Sequence, residues 1–113
     1  MNSPKKDIPF DKFISLDILI GLIISAKNIS KTNLLSFEVD IKNTIIKIVS
    51  KKDPSIDLEN LLGKKVAVLC NIEPFEIEGN ISHGILLRAK DRKGNTSFIF
   101  PENQDAEIGS KIH

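Results

Sequence analysis

The sequence predicts an all-β domain closed into a small barrel. Three observations point there. Short stretches rich in Ile, Val and Leu recur along the whole chain. Residues 35–41 alternate cleanly, with Leu35, Phe37, Val39 and Ile41 on one side and Ser36, Glu38 and Asp40 on the other, as in a half-buried strand. Only one segment, residues 55–62, carries helix boundaries on both sides. With 113 residues the chain holds one domain and has no room for a second core.

Taken in order, residues 1–7 are polar, contain Pro4 and read as a disordered N-terminus. The domain proper is expected over residues 8–113. Residues 9–16 could form a helical turn with Phe10, Phe13 and Ile14 on one side. Residues 18–26 are apolar and β-branched, hence a buried strand, and 27–33 are a polar loop. Lys42-Asn43 reads as a tight turn joining the alternating strand to a partner over 44–49. The helix of residues 55–62 has Pro54 near its start and Gly63 just past its end, where a left-handed cap is cheap. Residues 66–71 form a strand, and 73–78 an edge segment or loop after Pro74. Strands at 84–89 and 96–100 flank the turn Asp91-Arg92-Lys93-Gly94, and 108–112 could close the domain as a short last strand. A five-stranded Greek-key barrel of this size, with one short helix and a C-terminal extension, is an OB-fold.

Sixteen basic residues stand against fifteen acidic ones, a net charge of +1. A strongly basic nucleic-acid tail is thereby excluded, and electrostatic binding must come from a local patch. Six Phe and no Trp or Tyr make base-stacking platforms scarce. A single cysteine excludes a disulfide framework within the chain. The longest apolar run, residues 18–24, is too short to span a bilayer, and Asp17 at its edge argues against a signal peptide. The expected compartment is the cytoplasm, and three glycosylation sequons, at Asn28, Asn80 and Asn95, are read as chance matches.

No catalytic constellation emerges. Cys70 ends an apolar run and reads as a small buried thiol rather than a nucleophile. Asn80-Ile81-Ser82-His83-Gly84 resembles a nucleophile elbow but has Asn80 where glycine is required. Gly63-Lys64-Lys65 lacks the upstream glycine and the hydroxyl residue of a phosphate-binding loop. Glu73, Glu76 and Glu78 read as a solvated acidic rim rather than a cation site. No enzyme activity, cofactor or metal is expected.

Several motifs, in order, resemble a known family. They begin with Ile8-Pro9-Phe10-Asp11-Lys12-Phe13, Leu16-Asp17-Ile18 and Ile20-Gly21. They continue through Val39-Asp40-Ile41, Ile48-Val49-Ser50 and Leu62-Gly63-Lys64-Lys65-Val66. The fullest match is Asn71-Ile72-Glu73-Pro74, Gly79 and Ser82-His83-Gly84-Ile85-Leu86-Leu87-Arg88-Ala89, and it ends at Gly109-Ser110-Lys111-Ile112. This series resembles the tRNA-binding domain family. Its members include the C-terminal domain of bacterial methionyl-tRNA synthetase, free-standing tRNA-binding proteins and an export-related chaperone. The resemblance implies an OB-fold that pairs into a homodimer and binds tRNA structure, in trans or as an appendix, with no catalytic residues of its own.

On that resemblance and on the clustering of lysines, the residues expected to meet RNA are Lys31, Lys47, Lys51, Lys52, Asn71, Ser82, His83, Ile85 and Arg88. Phe75 reads first as a core or interface plug and second as a stacking residue. The sequence departs from the family where Lys and Arg are usual after Asn71, reading instead Glu73-Pro74-Phe75-Glu76-Ile77-Glu78. Three carboxylates beside a phosphate path would cost on the order of 2 kcal/mol if none turned away. Two partners are therefore weighed: tRNA, with an aminoacyl-tRNA synthetase assisted in trans, or a protein client of a chaperone-like dimer that has lost RNA affinity. A small-molecule enzyme on this barrel is the weakest alternative.

Overall fold

A computed structural model describes residues 4–113. Part of the expected disordered N-terminus, residues 1–3, lies outside the described residues. The first element is α1 (Phe10–Ile14), entered through the extended Pro9. The long strand β1 (Ile18–Asn28) follows, then β2 (Leu34–Asp40) and β3 (Ile45–Lys51) as an antiparallel meander. A short helix, α2 (Leu58–Leu61), leads into β4 (Lys65–Leu69). The second half of the chain holds β5 (Phe75–Ile77), β6 (Asn80–Ser82), β7 (Ile85–Leu86), β8 (Arg88–Lys90) and β9 (Thr96–Phe98).

The main sheet has five strands in the order β3-β2-β1-β4-β7, with β5–β6 and β8–β9 as separate hairpins. The sheet curls for two reasons. A register shift between Ile23 and Ser25 places a bulge at Ile24, and a bulge sharpens local twist. At Gly21 a Cβ would lie 2.6 Å from Val39 Cγ1 and 2.8 Å from Val68 Cγ2, so only glycine lets both neighbouring strands fold over β1 there. The alternating face of β2 supplies the centre of the core. Phe37, Val39 and Leu35 pack with Ile23, Ile48, Leu61, Val66, Val68 and Leu86.

The curled sheet is joined across its edges by the segment between β6 and β7. His83 N–H donates to the Lys47 carbonyl at 2.9 Å. Ser82 Oγ accepts the Val49 N–H at 2.9 Å and donates to the Gly84 carbonyl at 2.9 Å. The all-β barrel expected of an OB-fold is thus present.

Several boundaries differ from the sequence expectation. The helix shrinks from residues 55–62 to Leu58–Leu61. Asp53 Oδ1 accepts the Ser55 N–H, and Asp57 Oδ1 accepts the Glu59 N–H, so a side-chain-capped turn takes the place of the first helical turn. Gly63 does adopt the left-handed conformation expected past the helix, with φ +81°. The strand expected at 84–89 breaks at Leu87, which turns to bond Ala67 and Ile99 while β8 leaves the sheet to pair with β9. Residues 73–78 are not a loose edge: β5 forms a hairpin with β6 through Glu78 (φ +49°) and Gly79 (φ +82°). Residues 108–112 make a single bridge, Leu19 to Lys111, rather than a full strand. The N–H groups of Gly109 and Ile112 donate to the Ile20 and Ile18 carbonyls and the Ser110 carbonyl accepts the Ile20 N–H, which still lays this segment along the free edge of β1.

Candidate nucleic-acid interface

The strands β3, β5 and β7 enclose a groove of about 310 Å³. Phe75 and Ile77 of β5, Ile85 of β7 and Val49 of β3 supply apolar walls, and Lys51 and Arg88 stand at its margin. Phe75 and Ile77 reach this groove because side chains alternate along a strand, and the same alternation turns Glu76 to the opposite face. One of the three acidic residues of this segment is therefore directed away from the groove. Arg88 Nη1 donates to the Lys51 carbonyl at 3.0 Å, tying the two cationic residues of the margin together. Its remaining guanidinium N–H groups have no other hydrogen-bond partner among the described residues.

The expected RNA-contacting residues are divided by the fold into four locations. Lys51, Ile85 and Arg88 meet at the groove. Lys47 and His83 lie beside it on the closing seam, joined through the His83 N–H, with both side chains exposed. Lys47 also stands in register with Glu38 across β2–β3, which offsets its charge. Lys31 occupies the β1–β2 turn with φ 62°, and Lys52 N–H bonds the Asn33 carbonyl of that same loop.

Lys52 belongs to a larger cleft of about 700 Å³, lined by Asn28, Asn33 and the carboxylates Asp53, Asp57 and Glu59. Three acids against one ammonium make that cleft a poor host for a polyanion, although it is the roomier of the two.

Asn71 and Ser82 have structural work instead. Asn71 Oδ1 accepts the Asp17 N–H at 2.7 Å and its Nδ2 donates to the Ser15 carbonyl at 2.6 Å, so both ends of the amide tether α1 to the end of β4. Ser82 is 0% exposed and presents no surface to a ligand. Phe75, which the sequence favours as a core or interface plug, is half-buried and lines the groove. The signal that could have raised it was the isolated aromatic between Pro74 and Glu76 in a segment with strand alternation.

Asp53 joins the acidic cleft to the β8–β9 hairpin. Its carboxylate accepts bonds from Ser55 and from Thr96 Oγ1 (2.8 Å), and Lys90 Nζ lies 3.9 Å away. The Ser55 bonds, then the Thr96 bond, hold its pKa down at about 2. Cys70 is the opposite case: partial burial, then the charge of Asp17, push its thiol up to about 11, which suits a packed thiol and not a nucleophile. Among the described residues no group of three His, Cys, Asp or Glu is placed to hold a metal, and no helix is long and apolar enough to cross a membrane.

Residues 18–111 match the family model described as "Putative tRNA binding domain". The chain belongs to the tRNA-binding domain family. It is 36% identical over 112 residues to a methionine–tRNA ligase of Flavobacterium johnsoniae, covering 97% of this chain and 16% of that protein. It is 39% identical over 108 residues to a methionine–tRNA ligase of Methanococcoides burtonii, covering 94% of this chain and again 16% of the relative. The tRNA-binding domain thus spans a small part of the ligases it resembles. Among solved structures, a MetRS related protein from Pyrococcus horikoshii superposes with TM-score 0.88 at 26% identity, over 96% of this chain and 100% of that one. The chaperone CsaA from Bacillus anthracis superposes with TM-score 0.82 at 20% identity, over 96% of this chain and 100% of that one, a likeness of fold.

Proposed function

We propose that this tRNA-binding domain holds tRNA through the groove between β3, β5 and β7, acts as a homodimer and assists an aminoacyl-tRNA synthetase in trans. The observation that supports the reading most is the pairing of an apolar wall with two cations at one margin. Phe75 and Ile85 offer a surface for one unstacked base, and Lys51 and Arg88 stand where the adjoining phosphates would pass. Glu76 faces away, so the Coulomb penalty foreseen from the sequence falls. A net charge of +1 gives little long-range attraction, and affinity has to come from this local constellation.

The test is binding of bulk tRNA as a function of salt. Neutralising phosphates releases counterions, so a real site shows a linear fall of log affinity with log salt. The variant Lys51→Glu with Arg88→Glu should abolish retardation, and Phe75→Ala should weaken binding by about 1–3 kcal/mol with the salt slope unchanged. No retardation of tRNA by the unmodified protein at low salt would overturn the reading and leave protein docking as the use of this fold.

The dimer is supported by α1. Phe10 is 73% and Ile14 52% exposed, and Ile8 beside them is 63% exposed, an apolar face on a well-tethered element. Sedimentation at micromolar concentration should give twice the chain mass of 12.6 kDa, and Phe10→Glu with Phe13→Glu should restore the single-chain value. A single-chain mass for the unmodified protein would refute the pairing.

A further inference from the structure

We propose that the β8–β9 hairpin is a second, phosphate-binding arm of the same tRNA site, extending outward from the base-holding groove. The inference rests on the tRNA reading of that groove.

Arg88, Lys90, Arg92 and Lys93 fall within six consecutive residues, and all four are exposed. The one carboxylate among them, Asp91, is occupied by the turn. Its Oδ1 accepts the N–H groups of Lys93 and Asn95 at 2.9 Å each, and its Oδ2 accepts Asn95 Nδ2 at 3.4 Å. The arm is continuous with the groove, because Arg88 both lines the groove and opens β8. Lys90 follows on the same face of the strand, about 7 Å further out at the usual rise per residue. Arg92 and Lys93 then form the tip.

The root of the arm is fixed from both strands. On β9, Thr96 Oγ1 donates to Asp53 at 2.8 Å and the Thr96 N–H donates to Ser55 Oγ at 2.8 Å. On β8, Lys90 Nζ sits 3.9 Å from Asp53. A pre-set arm offers its cations without the entropy loss of ordering a free loop. Residues 88–95 contain no aromatic side chain, so the arm has nothing on which a base could stack. Its chemistry is that of backbone contact, indifferent to base sequence. Because Lys90 is shared with Asp53, the new contacts fall chiefly on Arg92 and Lys93.

The experiment is the salt titration of tRNA binding by fluorescence anisotropy, comparing the full chain with Arg92→Gln, Lys93→Gln. Both side chains are exposed and the Asp91 turn is kept, so an unchanged melting curve serves as the folding control. Losing two phosphate contacts should lower the magnitude of the log–log salt slope by about 1.4–1.8 and the affinity by about 25- to 60-fold at 0.1 M salt. The loss should be the same for RNAs of different sequence, whereas Phe75→Ala should alter preference among bases at constant slope. An unchanged slope and affinity in the double variant, with the unmodified protein still binding, would overturn the arm and leave the groove standing. Failure of the unmodified protein to bind tRNA would remove the groove reading and the arm with it.

Discussion

Ser82→Ala tests whether this serine holds the barrel closed or touches ligand. Its hydroxyl accepts the Val49 N–H and donates to the Gly84 carbonyl, both at 2.9 Å, in a site with 0% exposure. Alanine fits the space but leaves both backbone groups without a partner, and water has no access to replace it. An orphaned buried group costs about 1–3 kcal/mol, so the pair should cost about 2–6 kcal/mol. For a domain of this size, 1 kcal/mol moves the midpoint by about 4 °C, so Tm should fall by about 8–24 °C in a thermal melt followed by circular dichroism. Affinity for tRNA, measured well below the midpoint, should stay within about twofold, because the side chain is sealed off from the groove. A fall in Tm below about 4 °C would show that the seam does not depend on this hydroxyl. A large loss of affinity at full stability would return Ser82 to the ligand site.

Other perturbations have equally definite outcomes. Hydrogen bonding lowers Asp53 from 3.8 to about 2, so its contribution to stability is fully present above about pH 4 and is lost as the pH falls through 2. Asp53→Asn, which cannot accept from Ser55 and Thr96 as the carboxylate does, should lower the urea midpoint at pH 7. Its deficit against the unmodified protein should close between pH 4 and 2, and a pH-independent deficit would exclude the charge as the cause. Cys70, raised to about 11 by burial and by Asp17, should resist iodoacetamide at pH 8. Its smaller thiolate fraction against a free thiol, partly offset by higher nucleophilicity, predicts alkylation about 10-fold slower or more. Modification at the rate of free cysteine would refute that environment.

Much of the fold is legible in the sequence because local patterns carry it. The alternation of residues 35–41 marks β2 and the centre of the core, and Gly63 marks the left-handed exit from α2. What was misjudged depended on competition or on distant partners. Residues 55–57 belong to the expected helix, but the carboxylates of Asp53 and Asp57 offer their neighbours' N–H groups a bond that a helix does not. The β5–β6 turn needs two left-handed residues, and Glu78 in that role gives no warning, unlike the Asn-Gly pair that usually announces such a turn. The candidate site was legible by residue type but not by place. Lys51 and Lys52 are neighbours in sequence, yet one borders the groove and the other the acidic cleft. Ser82 and Asn71 sit in the motifs that carry the family resemblance, but their hydrogen bonds join segments 33 and 54 residues apart, a separation no local pattern records.

The docking of residues 109–112 along β1 bears on biosynthesis. Ile18 and Ile20 wait for partners at Gly109, Ser110 and Ile112, which lie far downstream and leave the ribosome long after β1. Until then this stretch of β1 is an open, apolar template onto which another nascent chain could add. Substitutions that keep residues 109–112 from docking should therefore yield inclusion bodies before they yield a loosened but dispersed protein.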